Sequence, residues 1–306
     1  MESLIEVKNL SKYFQRGKEV EKALEGVSFN VYRGETLGIV GESGSGKTTL
    51  GRSLMCLYNT DFGEIYFNDM SLKSMNAEQL RSIKKEFQMI FQNPYESLSP
   101  RLKIGEIIEE PLTIQKLGAK KERKQLVLEM IQKVGLSKDC YDKTIHEFSG
   151  GQRQRVAIAR ALVMKPKLVI ADEPVSALDV SVQAQILNLL KELQREYNLT
   201  MIFISHDLNV VHHMSDRVGV LRHGHLLEIA PKDEIYNNPV HPYTQSLLAS
   251  IPKTDPNARK RGAAIHVPPR SQHPPHLLHI GNEHYVAANV IEIIKYEVTD
   301  RLAVRG

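Results

Sequence analysis

The sequence predicts an α/β fold, and three observations predict it. Short apolar runs bounded by turn residues alternate with segments whose apolar residues recur three or four apart, which are the periods of strand and helix. One such run, Leu37 to Val40, leads straight into a glycine-rich loop that opens a helix at Lys47. Another, Leu168 to Ala171, ends in the carboxylates Asp172 and Glu173.

Taken in order, strands are expected at Ile5 to Leu10, Ala23 to Val31, Glu35 to Val40, Glu64 to Phe67 and Phe87 to Phe91. Four more follow at Leu168 to Ala171, Thr200 to Ile204, Arg217 to Leu221 and His225 to Ile229. The early ones lie close together with short connections, as an antiparallel layer would. Between Gly105 and Val134 the chain is charged and apolar at helical spacing (Ile107, Ile108, Leu112; Leu126, Met130, Val134), so a helical insertion is expected between two halves of the core. From Val182 to Tyr197 the apolar residues Val182, Ile186, Leu189, Leu190, Leu193 and Tyr197 give one buried helix face against the sheet. After about Pro239 the composition shifts. Pro252 to His284 reads as a loosely ordered tail, followed by a short helix or strand near Ala287 to Tyr296.

Composition narrows the function classes. A chain of 306 residues with 42% hydrophobic residues can bury a full core, which excludes disorder and fibrous repeats. Forty Lys and Arg against 36 Asp and Glu leave a net charge of only +4, too small for the basic stripe of a nucleic-acid binder. Cys56 and Cys140 match neither a disulfide framework nor a paired metal site, and suggest a reducing compartment. The first residues lack the pattern of a signal peptide, and no apolar run approaches the ~18 residues of a membrane span. The chain is expected to stay in the cytoplasm.

Gly41-Glu42-Ser43-Gly44-Ser45-Gly46-Lys47-Thr48 fits G-x-x-x-x-G-K-[ST] in the strand-loop-helix setting that this motif requires. Its glycines let successive N–H groups turn inward on a phosphate, and the helix start adds partial positive charge. Lys47 would reach the β- and γ-phosphates, the Thr48 hydroxyl would ligate Mg²⁺, and Thr49 would stand near the α-phosphate. An Asp-Glu pair usually marks a solvated turn. The four apolar residues before Asp172 and Glu173 reverse that reading: Asp172 would hold the Mg²⁺ shell and Glu173 would polarise an attacking water.

Three weaker pieces follow the same order along the chain. Phe91-Gln92-Asn93-Pro94 and Ile204-Ser205-His206-Asp207 place Gln92 and His206 at strand ends, and Phe148-Ser149-Gly150-Gly151-Gln152 precedes a strong helix, Val156 to Val163. Taken together, GESGSGKTT, FQNP, FSGGQRQR, LVIADEP, SALD and ISHD resemble the nucleotide-binding subunits of ATP-binding-cassette (ABC) transporters, over residues from about Ile5 to about Pro252. That resemblance implies a P-loop NTPase cassette with a RecA-like core, an antiparallel β layer, a helical subdomain at about 93–160 and a C-terminal extension. The cassette would occupy 1–240 and the extension 241–306.

The resemblance also assigns roles. Gln92 contacts Mg²⁺ and water; His206 holds the γ-phosphate; Ser149, Gly150, Gly151 and Gln152 are the signature offered to a partner's ATP; and Asp179 belongs to the loop at the dimer interface. Phe14 matches the aromatic that stacks on adenine, with Tyr13 the less favoured neighbour. Phe148 stands where the family usually has Leu. Two cassettes would face each other head to tail. One chain carries one copy of each motif, so the resemblance implies a second ATPase subunit, a paralogue forming a heterodimer.

QNPYESLSPRLKIGEIIEEPL and NNPVHPYTQSLLASIP resemble the oligopeptide and dipeptide importer branch, specifically its second ATPase subunit. Two membrane permease subunits and an extracellular substrate-binding protein are then implied, with this chain peripheral on the cytoplasmic face of the cell membrane. The branch also contains importers of nickel and metal chelates, which these motifs do not separate, and a soluble cassette without a channel is the remaining alternative. Many members carry a cysteine cluster after HPYT; this chain has no cysteine beyond Cys140 and instead resembles the cysteine-free Gram-positive type. His266, His273, His276, His279 and His284, set among prolines, fit no helix-based ligand set and read as tail residues. The basic run Lys116, Lys120, Lys121, Arg123 and Lys124 reads as the solvated face of the insertion rather than a nucleic-acid site.

Overall fold

The long apolar runs and the half-exposed early strands separate into two sheets in the computed structural model, which describes residues 2–96, 98–250, 267 and 275–288. Strands β1 (Ser3–Arg16) and β2 (Glu19–Tyr32) pair antiparallel, and β3 (Thr36–Val40) then leaves them for the second sheet. Helix α1 (Lys47–Leu54) follows, and β4 (Phe62–Phe67) and β5 (Met70–Ser71) return to the first sheet, whose order is β2-β1-β4-β5. This is the antiparallel layer expected from the short connections. Both β1 and β2 run longer than their apolar patterns. Their extra residues, including Phe14 opposite Glu21 and Arg16 opposite Glu19, form an arm whose tip is exposed, so backbone pairing holds it where burial leaves no periodic trace.

Helix α2 (Ala77–Ile83) buries no residue and starts at a reciprocal Asn76/Gln79 cap. An apolar-pattern reading passes over such a helix, because only the cap marks it. After β6 (Phe87–Ile90) the chain enters the insertion: α3 (Ile104–Ile114), α4 (Lys120–Lys133) and α5 (Gly150–Leu162). Helix α5 begins six residues before the expected Val156, at a Ser149/Gln152 capping box that overrides two poor helix formers, Gly150 and Gly151. The remaining elements are β7 (Leu168–Asp172), α6 (Val180–Tyr197), β8 (Thr200–Ile204), α7 (Leu208–Met214), β9 (Arg217–Arg222), β10 (His225–Pro231), α8 (Lys232–Asn237), α9 (Pro242–Ala249), β11 (His276–Gly281) and β12 (His284–Ala288).

The second sheet has the order β11-β12-β10-β9-β3-β8-β7-β6. Its β6-β7-β8-β3-β9 portion is parallel, and the other pairs are antiparallel. Every residue of β3, β7 and β8 is buried, as parallel strands covered on both faces require. Alternate residues serve opposite cores. Leu168, Ile170, Ile202 and Ile204 join the cluster formed with the antiparallel sheet and α1, while Val169, Ala171, Met201 and Phe203 join the cluster formed with α3 to α6. Burial on both faces fixes β3 and β7, and their C-terminal ends carry the glycine-rich loop and the carboxylate pair. Ligands of such sheets bind outside those ends.

The expectation of a loosely ordered tail through His284 is corrected for its described part. Residues 276–288 form a hairpin on β10, with Glu228 opposite Val286 and Ile229 opposite Tyr285, and His284, Val286 and Ala287 are buried. Alternating short apolar residues in a weak pattern are drawn into the sheet by the open edge of β10, a long-range partner that local periodicity does not reveal. Of the final element expected near Ala287 to Tyr296, Ala287 and Ala288 end β12; the rest, like His266 and His273, lies outside the described residues. The boundary expected at 240 falls between α8 and α9. Among the described residues no helix is long and apolar enough to cross a membrane, and no His, Cys, Asp and Glu group is disposed to hold a metal ion by itself.

Candidate active site

The loop Gly41 to Lys47 is seated by backbone contacts that leave no space for side chains at two of its glycines. A Cβ on Gly41 would lie 2.0 Å from the Leu221 carbonyl oxygen, and one on Gly46, whose φ is +106°, would lie 2.5 Å from that of Ala23. The turn after β9 fastens the loop from the same side: Gly224 N–H donates to Ser45 O at 2.9 Å, and Glu25 N–H donates to Gly224 O at 2.9 Å. Lys47 is 6% exposed, and its Nζ donates to Gly41 O at 2.8 Å and Glu42 O at 2.9 Å. Burial pulls the Lys47 ammonium below the usual lysine range, opposed by the carboxylates of Glu173, Asp172 and Glu42.

One residue further on, Thr48 Oγ1 donates to Asp172 Oδ1 at 3.2 Å. Asp172 ends β7 and is 2% exposed; burial raises its carboxyl above the usual range, and the Thr48 hydrogen bond acts against the rise. Glu173 leaves the strand at φ +46°, a left-handed conformation costly for a residue with a side chain, and its N–H donates to Ile204 O at 2.9 Å. That turn brings its carboxylate to two partners: Gln92 Nε2 donates to Oε2 at 3.2 Å, and His206 Nδ1 lies 3.0 Å from Oε1. Gln92 follows β6 and His206 follows β8, so parallel strands deliver their end residues to one edge.

These groups border an open cleft of about 630 Å³. The loop supplies Ser43, Gly44, Gly46 and Lys47 to Thr49, and Gln92, Glu173 and His206 stand across from it. Other lining residues, Lys22 and His223 among them, escaped the sequence reading. Lys22 sits on the exposed arm of β2 and His223 in the β9–β10 turn, and no motif or apolar pattern singles out either position.

The other expected site residues lie elsewhere on the chain. Phe14 packs edge-on against Tyr58, with the Lys12 ammonium 5.1 Å from its ring centre. Tyr13 stacks at a tilt on Phe62, and the Lys22 ammonium lies 5.6 Å from its ring centre, which sets Tyr13 beside the mouth of the cleft. Ser149 caps α5 with Gln152, and Gly150 and Gly151 leave room for Leu178 and Val182; none of the four lines the cleft. Asp179 is the N-cap residue of α6 next to Val180, which is 82% exposed.

Chemically, the edge combines an N–H-lined loop with a buried ammonium, which suits an oligophosphate, and a carboxylate held between an amide and an imidazole, which suits proton abstraction from water. The comparisons with known proteins agree with that chemistry. The ABC transporter family model matches residues 24–176, and the model for the oligopeptide/dipeptide transporter C-terminal region matches residues 227–276. The chain is 52% identical to the oligopeptide transport ATP-binding protein OppF of Bacillus subtilis over 258 residues, 84% of this chain and 85% of that protein. It is 47% identical to the dipeptide transport ATP-binding protein DppF of Lactococcus lactis over 273 residues, 88% of each chain. Among solved structures, the dimeric post-hydrolysis form of the ATP-binding cassette MJ0796 bound to ADP and Pi superposes with a TM-score of 0.68 at 33% identity, covering 74% of this chain and 98% of that one. CbiO1 of Clostridium perfringens, part of the transporter complex cbiONQ, gives 0.69 at 27% identity over 78% of this chain and 92% of that one. With about half of its residues shared with these relatives over most of both chains, and both family models matched, the chain belongs to the ATP-hydrolysing subunits of ABC transporters, in the oligopeptide/dipeptide branch.

Proposed function

We propose that this chain is the subunit whose ATP hydrolysis powers import of oligopeptides or dipeptides through a separate membrane permease. The observation that carries the reading is the carboxylate pair: Asp172 on the Thr48 hydroxyl, and Glu173 between Gln92 and His206. The names of its relatives, and the match of its own residues 227–276 to the oligopeptide/dipeptide transporter C-terminal region, support the peptide substrate.

In this reading Gly41, Glu42, Ser43, Gly44, Ser45 and Gly46 wrap the phosphates, Lys47 neutralises their charge, and Thr49 closes on the α-phosphate. Glu173 takes a proton from the attacking water, and His206 holds the γ-phosphate while fixing the orientation of that carboxylate. Phe14, with Tyr13 beside it, receives the adenine. Thr48 Oγ1, Asp172 Oδ1 and the Gln92 amide oxygen form a hard, all-oxygen donor set, which suits Mg²⁺ and suits neither zinc nor copper. Bound there, Mg²⁺ would supply neutralisation of the phosphate charge. Ser149 to Gln152 stand away from this chain's own cleft, which fits their use on a partner's ATP; Asp179 and the exposed Val180 open the neighbouring helix α6, whose Val182 lies against Gly151. The partner is a paralogous cassette, and the assembly includes two permease subunits and an external binding protein, with this chain peripheral on the cytoplasmic face. Residues 1–240 act as the ATPase domain, with its helical subdomain at about 93–160, and 241–306 as the branch-specific extension.

The test is a reconstituted transporter containing the partner cassette and permease in vesicles, with the binding protein outside. Peptide is expected to stimulate phosphate release, and Glu173→Gln to cut turnover by about 100-fold or more while ATP still binds. Full turnover in the variant, or stimulation by a nickel chelate and none by peptides, would overturn the reading.

A further inference from the structure

The HPYT segment, His241 to Thr244, reaches back to the phosphate loop. Tyr243, in the first turn of α9, is 3% exposed, and its hydroxyl oxygen lies 3.4 Å from the backbone nitrogen of Glu42, which donates to it. Its ring carries the Arg222 guanidinium at 4.7 Å. Arg222 ends β9, next to Leu221, whose carbonyl lies against Gly41. Tyr243 therefore closes one side of the loop from a position 201 residues away.

The peptide unit involved is the one between Gly41 and Glu42. In a trans peptide the C=O and N–H point in opposite directions. Here the Gly41 oxygen accepts from Lys47 Nζ at 2.8 Å, while the Glu42 N–H on the other side is taken by Tyr243. One plane is thus held from both ends. Rotating it would remove an anchor of the Lys47 ammonium and would turn its N–H into the loop.

The segment is itself fixed by a buried carboxylate. Glu228 of β10, fully buried, accepts from Val240 N–H at 2.8 Å, His241 N–H at 3.1 Å and His284 Nε2 at 2.7 Å. His241 Nδ1 in turn accepts the Tyr243 N–H at 3.1 Å. A continuous set of contacts joins the C-terminal hairpin, the HPYT segment and the phosphate loop.

We propose that Tyr243 is a positioning residue of the nucleotide site: its hydroxyl fixes the Gly41–Glu42 peptide, and with it the Lys47 ammonium, so that the C-terminal extension sets the affinity of the loop for ATP. This rests on the reading of the loop as the phosphate site. Tyr243→Phe keeps the ring, its burial and the Arg222 contact, and removes only the hydroxyl, with its bond from the Glu42 N–H and its interaction with the Glu42 side chain. In the assembled transporter the variant raises the KM for ATP about two- to tenfold, the range expected from one modest hydrogen bond. Its kcat at saturating ATP stays within about twofold of the parent, and the melting temperature of the full-length chain is unchanged. An unchanged KM overturns the proposal. So does a fall in kcat and melting temperature with KM held, since Tyr243 would then serve packing alone. Lys47→Ala is measured alongside by titration with a fluorescent ATP analogue. If that variant binds as tightly as the parent, the phosphate-site reading has failed, whatever Tyr243→Phe does.

Discussion

Replacing Glu228 by Gln tests what attaches the C-terminal hairpin to the cassette. The carboxylate is fully buried: one oxygen accepts from Val240 N–H and His284 Nε2, the other from His241 N–H. Gln has the same shape but one acceptor oxygen, so in either orientation its NH₂ faces a buried donor. If the amide oxygen stays with Val240 and His284, the His241 N–H loses a charge-assisted bond and is left unsatisfied. Such a bond is worth about 1.5–3 kcal/mol, and the orphaned donor adds to the loss, so the variant is less stable by about 2–4 kcal/mol. For a chain of this size that lowers the melting temperature by roughly 3–6 °C. Urea titration gives the free energy, and hydrogen exchange read by mass spectrometry locates it: residues 276–288 and 240–249 exchange faster, while β3, β7 and β8 stay protected. A loss under about 0.5 kcal/mol with unchanged exchange would refute the keystone role of Glu228 and weaken the connection from the tail to Tyr243.

Two other outcomes follow from the ground beneath the loop. Gly46→Ala forces a Cβ to 2.5 Å from a backbone oxygen at φ +106°, so nucleotide affinity falls and stability drops by about 1–3 kcal/mol; an alanine variant with parental melting and ATP affinity would contradict the seating described. Glu25 has its pKa raised by burial, but hydrogen bonds from Lys22 at 2.5 Å and His225 at 3.2 Å outweigh burial and bring it below the carboxylate value of 4.5. A depressed folded-state pKa adds stability that is present above the unfolded pKa and lost as pH falls through the folded one. The parent should therefore lose melting temperature more steeply than Glu25→Gln below pH 4.5; parallel curves would exclude the effect.

Much of the site was legible because its residues are adjacent in the chain or follow directly from a strand end. Gly41 to Thr49 is one continuous loop and helix start, and Asp172 and Glu173 terminate a strand buried at every residue. Gln92 and His206 were legible in the same way, as polar residues ending apolar runs. The extra length of β1 and β2, the surface helix α2 and the hairpin at 276–288 were not, because each is held by backbone pairing or a cap and leaves little or no apolar period. Lys22 and His223 escaped for a related reason, since only the arm of β2 and the turn after β9 bring them to the cleft.

By itself, then, the sequence determined which strand runs of the central sheet are buried, where the glycine-rich loop lies and which side chains could carry the chemistry, since an apolar run and motif spacing are properties of single segments. Only the tertiary structure decided which of them meet. Glu173 lies 81 residues from Gln92 and 33 from His206, Glu228 lies 56 from His284, and Glu42 lies 201 from Tyr243. Hydropathy encodes a residue's preference for the interior. It does not encode the partner, which is selected when the sheet order brings particular strand ends and edges together.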